Sequence, residues 1–240
     1  AQLGPPLLNG NVNANLSSTV YGGDILVKQM LARDSLGRWD WLMGYQTARL
    51  AESLTIDSRR LDGPIISPPP GTTILDIRDS FQVKNQFHGA TFGFSGDVRE
   101  GNWFFGGMFK LGLGNMARSV EIQGARRVEV VVTPGTPLNV DTTANGLHAN
   151  SNTNSGRYEF DTFVMTPELN LTAGYRLTPR LDFTVGYNML RLPKVTRVAN
   201  ALDPRLAADP GEPTAVNPAF DFREFNFTLH SLNLGLQWNY

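Results

Sequence analysis

The segment RLDFTVGYNMLRL, residues 180–192, alternates apolar and other residues along most of its length, and a near copy, RWDWLMGYQTARL, occupies residues 38–50. Arg, Asp, Gly, Tyr, Arg and Leu recur at the same relative positions. Alternation with a period of two is the signature of a strand whose faces meet different surroundings. A soluble strand alternates as well, so the pattern alone does not say which face meets water.

The length of the apolar face decides it. In the first copy one face reads Trp39, Trp41, Met43, Tyr45, Thr47, Arg49; in the second it reads Leu181, Phe183, Val185, Tyr187, Met189, Arg191. Residues 102–114 give Trp103, Phe105, Gly107, Phe109, Leu111, Leu113, and the last run gives Tyr240, Trp238, Leu236, Leu234, Leu232, His230. About ten residues at ~3.4 Å each, tilted by roughly 40°, span ~26 Å, close to the ~25 Å apolar belt of outer-membrane barrels. The opposite face carries Arg38, Asp40, Gln46, Lys110, Arg180, Asp182 and Asn188. The apolar face therefore has membrane height, and the polar face points into a lumen.

Seven such runs cover roughly 17–33, 38–56, 80–99, 102–122, 158–177, 180–197 and 223–240, rich in β-branched and aromatic residues. Short turns at DSLG (34–37), EG (100–101) and TP (178–179) alternate with long connections at 57–79, 123–157 and 198–222. Short turns on one side and long loops on the other are the habit of transmembrane barrels, with the short turns periplasmic. Residues 72–85 and 115–133 stay strand-like beyond the belt, which predicts strands that overshoot the membrane on the outer side. Trp39, Trp41, Trp103, Tyr175, Trp238 and Tyr240 all lie near a short turn or the C-terminus, as an aromatic girdle at the periplasmic interface requires. Gly44, Gly174 and Gly186, beside outward tyrosines, are expected where a strand bends or a neighbour packs closely.

Composition excludes several alternatives. The 240 residues contain no cysteine and carry a formal net charge of −1, so disulfides, zinc–thiolate sites and a basic nucleic-acid footprint are absent. No apolar run approaches the ~18 residues of a membrane helix. No metalloprotease, hydrolase-elbow, P-loop or EF-hand spacing occurs, so neither enzymatic activity nor a cofactor nor a metal site is implied. His148, in a long loop near Asp141, is a weak catalytic or metal candidate.

The residues also carry a resemblance. The motifs R-W-D…G-Y…S-L-T-I (38–56), D-S-F…N-Q-F…G (79–89), K-L-G-L-G-N (110–115), E-L…G-Y-R-L-T-P (168–179), G-Y-N (186–188) and the ending H-S-L-N-L-G-L-Q-W-N-Y resemble the planctomycete putative beta-barrel porin family. The resemblance covers most of residues 20–240 and implies an outer-membrane barrel and, by name, a porin. Family members carry more sequence before the first run.

The expectation is one all-β domain over residues 1–240, an antiparallel up-and-down transmembrane β-barrel of about eight strands in a bacterial outer membrane. Single-chain bacterial barrels have even strand numbers. The C-terminal run should end periplasmically, so an eighth strand is required before residue 17. Residues 1–16 are expected to supply it, the alternative being strands upstream. Eight strands leave a lumen that side chains fill, whereas twelve or more enclose water. The inward candidates Asp24, Lys28, Arg38, Asp40, Lys110, Glu168, Arg176, Arg180 and Asp182 are then either a charged constriction or a paired network filling the lumen. Arg49, His88, Arg191 and His230 fall at the outer rim of the belt, within reach of lipid head groups or simply solvated. Passive passage of small solutes or ions is the first functional expectation. The second is a structural subunit of the outer membrane or of an extracellular assembly, using exposed strand edges to self-associate into an oligomer or lattice. The partners expected are outer-membrane lipids and other copies, not nucleic acid.

Overall fold

Alternating apolar sequence becomes one long antiparallel sheet. A computed structural model describes residues 9–35, 37–65, 71–132, 137–205 and 217–238. The strands are β1 (Asn9–Arg33), β2 (Gly37–Ile65), β3 (Gly71–Glu100), β4 (Trp103–Val132), β5 (Pro137–Thr143), β6 (Gly156–Thr178), β7 (Leu181–Val195) and β8 (Phe225–Trp238). The order across the sheet is β1-β2-β3-β4-β6-β7-β8, with β5 folded back on the outer end of β4. Every pairing is between antiparallel neighbours, and the sheet curls into a half-barrel.

Two expectations change. Residues 9–16 are not a separate strand: they continue β1 and pair in register with β2, from Asn9↔Leu61 to Leu16↔Leu54. NVNANLSSTV contains neither Gly nor Pro, and the long β2 offers a ladder partner along its whole length. The connection at 57–79 is likewise not a loop over most of its span, because β2 runs to Ile65 and β3 starts at Gly71. Cross-strand ion pairs Arg59–Asp76 at 3.6 Å and Arg78–Asp57 at 2.6 Å sit on this extension. The overshoot read from 72–85 and 115–133 is thus present, and β2 shares it as far as Ile65.

Among the described residues β1 and β8 are the two unpaired edges. Seven strands cross the belt, and β1 and β8 run in the same direction.

Side-chain parity follows the pleat through the belt in β2 and β3, and slips near the short turns at a bulge between Met30 and Ala32 in β1 and another between Arg176 and Thr178 in β6. In β2 Asp40, Leu42, Gln46, Ala48 and Leu50 are buried on the concave side, while Trp39, Met43 and Tyr45 are exposed on the convex side. β3 buries Thr91, Phe87 and Asn85 and exposes Phe92 and Phe94; β8 exposes Leu232, Leu234 and Leu236 at 77, 76 and 70%. A contiguous apolar convex surface of this size does not face water in a soluble monomer. At its lower end Trp103 meets Tyr175 edge-on at 4.8 Å and stacks on Phe105 at 6.2 Å. Tyr240 lies outside the described residues. Among the described residues no helix is long and apolar enough to cross a membrane, which says nothing about strands.

The glycines of the repeated segment separate into two kinds. A Cβ on Gly44 would collide with the Ile25 carbonyl oxygen and the Leu26 backbone, and one on Gly174 would enter the Phe104 ring. At Gly186 the nearest atoms stand at 3.6 Å. Gly44→Ala is therefore expected to cost about 1–3 kcal/mol by overpacking. Gly186→Ala should stay within about 0.5 kcal/mol, as at an ordinary surface position. Urea titration of both variants in lipid vesicles checks the contrast, and equal costs would remove the close-approach explanation.

Candidate lumen site

The concave face has two tiers. The lower, within the belt, is polar. Lys110 of β4 is buried and reaches across to Asp24 of β1, while its Nζ lies 3.0 Å from Glu168 Oε1 of β6. Gln46 Nε2 and Asn170 Nδ2 each donate to Glu168 at 3.0 Å. These groups line a cavity of about 440 Å³, whose wall also includes Asn188 and Ser231. One ammonium against two carboxylates leaves the cluster net negative. Nearer the short turns, Asp40 is buried between Arg38 Nε at 2.7 Å and Lys28 at 3.1 Å, and Arg176 pairs with Asp182 at 3.5 Å. Eight of the nine inward candidates thus meet as three ion-pair groups. Arg180 does not join them: it lies exposed in the Pro179–Arg180 turn, because β7 begins only at Leu181.

The upper tier is apolar. Ala48, Leu50, Phe87, Met116, Val164, Leu192 and Val195 form one buried cluster, with Val20, Leu190 and Phe227 packed against it. Every one of the seven crossing strands contributes to this layer. A second cluster above it, Phe81, Val83, Val120, Ile122 and Ala149, takes Val198 and Ala201 from the β7–β8 connection. That connection turns into the concavity: a bulge separates Leu192 from Val195, and Lys194 adopts a left-handed backbone with φ 54°. A short helix α1 (Val198–Ala201) follows.

Three inward polar residues hold it there. Asn85 Oδ1 accepts from Thr196 N at 2.7 Å while its Nδ2 donates to Thr196 O at 2.8 Å. Glu52 accepts from Arg197 Nε at 2.7 Å and Val198 N at 3.0 Å. Arg118 donates to Lys194 O at 3.1 Å and pairs with Glu224 at 2.6 Å, its guanidinium 4.8 Å above the Phe222 ring. The sequence reading passed over all three. The available signal was polar side chains at inward parity, Glu52 between Leu50 and Leu54 and Asn85 between Phe87 and Val83.

The β5–β6 connection enters from another side. Asp79, fully buried, accepts hydrogen bonds from the backbone N–H groups of Leu147, His148 and Ala149 at 2.9–3.2 Å. Burial pushes its carboxyl above the ordinary range, against the pull of those donors. The His148 ring donates through Nδ1 to the Asp203 carbonyl oxygen at 3.2 Å, a structural contact.

Asp203 anchors the far end, accepting from Arg205 Nη2 and Ala219 N, both at 2.8 Å. The Arg205 hydrogen bonds hold its carboxyl well below the ordinary 3.8. The two anchors have opposite linkage. A depressed carboxyl stabilises the fold fully above 3.8 and progressively less as pH falls below it, whereas a raised one opposes folding less as pH falls. Asp203→Asn is expected to reduce protection of the Ala219 amide from hydrogen exchange at pH 7. The difference from the unaltered protein should narrow only below about pH 4. A gap that closes between pH 7 and 5 would contradict this.

On the convex face, the rim residues form a repeated arrangement. The Tyr45 hydroxyl shares a hydrogen bond with His88 Nδ1 at 2.5 Å, and the Tyr187 hydroxyl one with His230 Nδ1 at 2.7 Å. The ring centroids are 6.1 Å apart in both pairs, with interplanar angles of 29° and 30°. Arg49 and Arg191 follow four residues after each tyrosine on the same face.

A model of the family described as putative beta barrel porin-7 matches residues 4–240. No curated protein and no solved structure matches the chain.

Proposed function

We propose, since the chain belongs to the putative beta barrel porin-7 family, that it forms wall of a pore in a bacterial outer membrane, admitting small solutes or ions past the Asp24–Lys110–Glu168 cluster. The observation that carries this reading is the inversion of polarity. An apolar convex face of membrane height encloses a concave face whose charges surround a cavity of about 440 Å³.

Free sheet edges are not tolerated in lipid. β1 and β8 run in the same direction, so a ring that stays antiparallel takes an odd number of further strands between them. A second copy in the same orientation would present β1 to β8 and make a parallel seam. Strands from outside residues 9–238 complete the wall in this reading.

Single-channel recording in a planar bilayer tests it. Brief conductance steps are expected, because the upper apolar layer closes the path most of the time. Lys110→Met, which leaves Asp24 and Glu168 uncompensated, should shift the reversal potential toward cations. Steps whose selectivity ignores Lys110 would remove the cluster from the path.

The apolar layer itself favours a second reading, a structural subunit whose lumen is filled and whose exposed strand edges meet other copies. Silence from a folded barrel would select it.

A further inference from the structure

The sequence repeat that begins the chain's legible pattern has a second half that lies on neighbouring strands. Each copy of G-Y is partnered, across its hairpin, by a histidine at the diagonal position: Thr47↔His88 and Met189↔His230 are the register pairs, so each ring leans back over the tyrosine two residues below. Two separate hairpins, β2–β3 and β7–β8, thus build the same Tyr–His pair with matching distances and angles, each with an arginine four residues after the tyrosine. All of it projects from the convex face, where nothing in the pore reading uses it.

The chemistry of the group is that of a phosphate site. The tyrosine hydroxyl engages Nδ1 in each pair, which leaves Nε2 as the ring nitrogen that faces a ligand; with the hydroxyl as donor, Nε2 carries the hydrogen and donates outward. Arg49 and Arg191 make no ion pair among the described residues. Arg49 stands over the Tyr21 ring at 5.7 Å, its Nε is buried without a hydrogen-bond partner, and its register neighbour is the uncharged Gln86. Lys84, two residues further along the same face of β3, adds a second cation, and no acidic side chain stands between them. An uncompensated arginine at the ladder position diagonal to each histidine, at the upper limit of an apolar belt, matches an anionic phosphate oxygen at head-group depth. Bulk water at that depth would equally solvate one arginine. It gives no reason for the same hydroxyl-locked histidine to recur beside it twice.

We infer that Tyr45–His88–Arg49 and Tyr187–His230–Arg191 are two equivalent sites for the phosphate of an outer-leaflet lipid head group. The inference rests on the convex face lying in a membrane but not on the lumen conducting, so a silent channel leaves it untouched.

Native mass spectrometry in a neutral detergent, with phosphatidic acid as the probe, reads it directly. The unaltered protein is expected to retain two lipids. Arg49→Gln or Arg191→Gln should each weaken one site about fivefold, the order expected for one arginine at a phosphate surface, and the double variant should be weakened about fivefold at both. His88→Gln and His230→Gln test the oriented N–H in the same way, while Arg49→Lys should retain more lipid than Arg49→Gln. Circular dichroism and gel mobility before and after heating verify that each variant is folded. Equal retention by the unaltered protein and the double variant would overturn the inference. So would displacement of the lipid by an equal concentration of inorganic phosphate, which would make each group a bare anion site.

Discussion

Lysine in place of Val185 is expected to cost about 2–4 kcal/mol of folding stability in a bilayer, the range for a cation on the lipid face of a barrel at mid-depth. Lysine in place of Asn188, three residues further along β7, is expected to cost little. Val185 lies on the convex face, 40% exposed, between Ala173 of β6 and Leu234 of β8. Asn188 lines the cavity on the concave face. In water the expectation reverses in kind: a half-exposed valine on a sheet surface accepts lysine within about 0.5 kcal/mol. Urea titration in phosphatidylcholine vesicles, followed by tryptophan fluorescence, gives both numbers. Equal small costs at the two positions would mean that the convex face does not meet lipid, and the pore reading would fall with it.

That contrast was legible in the sequence because parity is a local property. Within the belt, each pleat sends one residue to lipid and the next to the lumen, and Trp39 through Arg49 or Leu181 through Arg191 can be counted without knowing any partner strand. The pairing of Lys110 with Asp24 and Glu168 was only half legible. Parity put all three inward, but two strands, β2 and β3, separate β1 from β4, and the curvature that brings them together is not written in any one run. The ends of the strands were misread for a related reason. Prolines and glycines around 63–71 mark a turn, and the sequence reading let that signal spread into residues that the β2–β3 ladder holds as strand. Residues 9–16 look weak alone, and they are strand because β2 continues beside them.

The inserted connection was the least legible part. Residues 196–203 carry no strong helix or strand signal, and their position depends on three side chains contributed by β2, β3 and β4. What could have been seen was the anomaly they leave behind. Above the belt the inward positions turn apolar, and Glu52, Asn85 and Arg118 interrupt that run. A buried polar group implies a partner, and here the partner is backbone from another loop rather than a neighbouring strand.

Removing those partners should open the upper tier. Glu52→Ala deletes the acceptor for Arg197 and for the Val198 N–H, and Asn85→Ala deletes both hydrogen bonds to Thr196. Each change leaves buried backbone groups unpaired at about 1–3 kcal/mol per group. The Arg197 contribution belongs at the low end, since that side chain is 41% exposed. With three backbone groups left unpaired and every 1.4 kcal/mol a factor of ten, the double variant is expected to raise the open-to-closed ratio of a single channel by roughly a hundredfold or more. Selectivity should not change, because Asp24, Lys110 and Glu168 lie below the released segment. Arg59→Ala, which breaks only an exposed ion pair on the outer extension, should leave the open fraction unchanged. If the double variant is folded and as closed as the original, the connection is not what closes the path. The apolar layer of Leu50, Phe87, Met116 and Leu192 would then be a permanent core, and the wall would be structural rather than a pore.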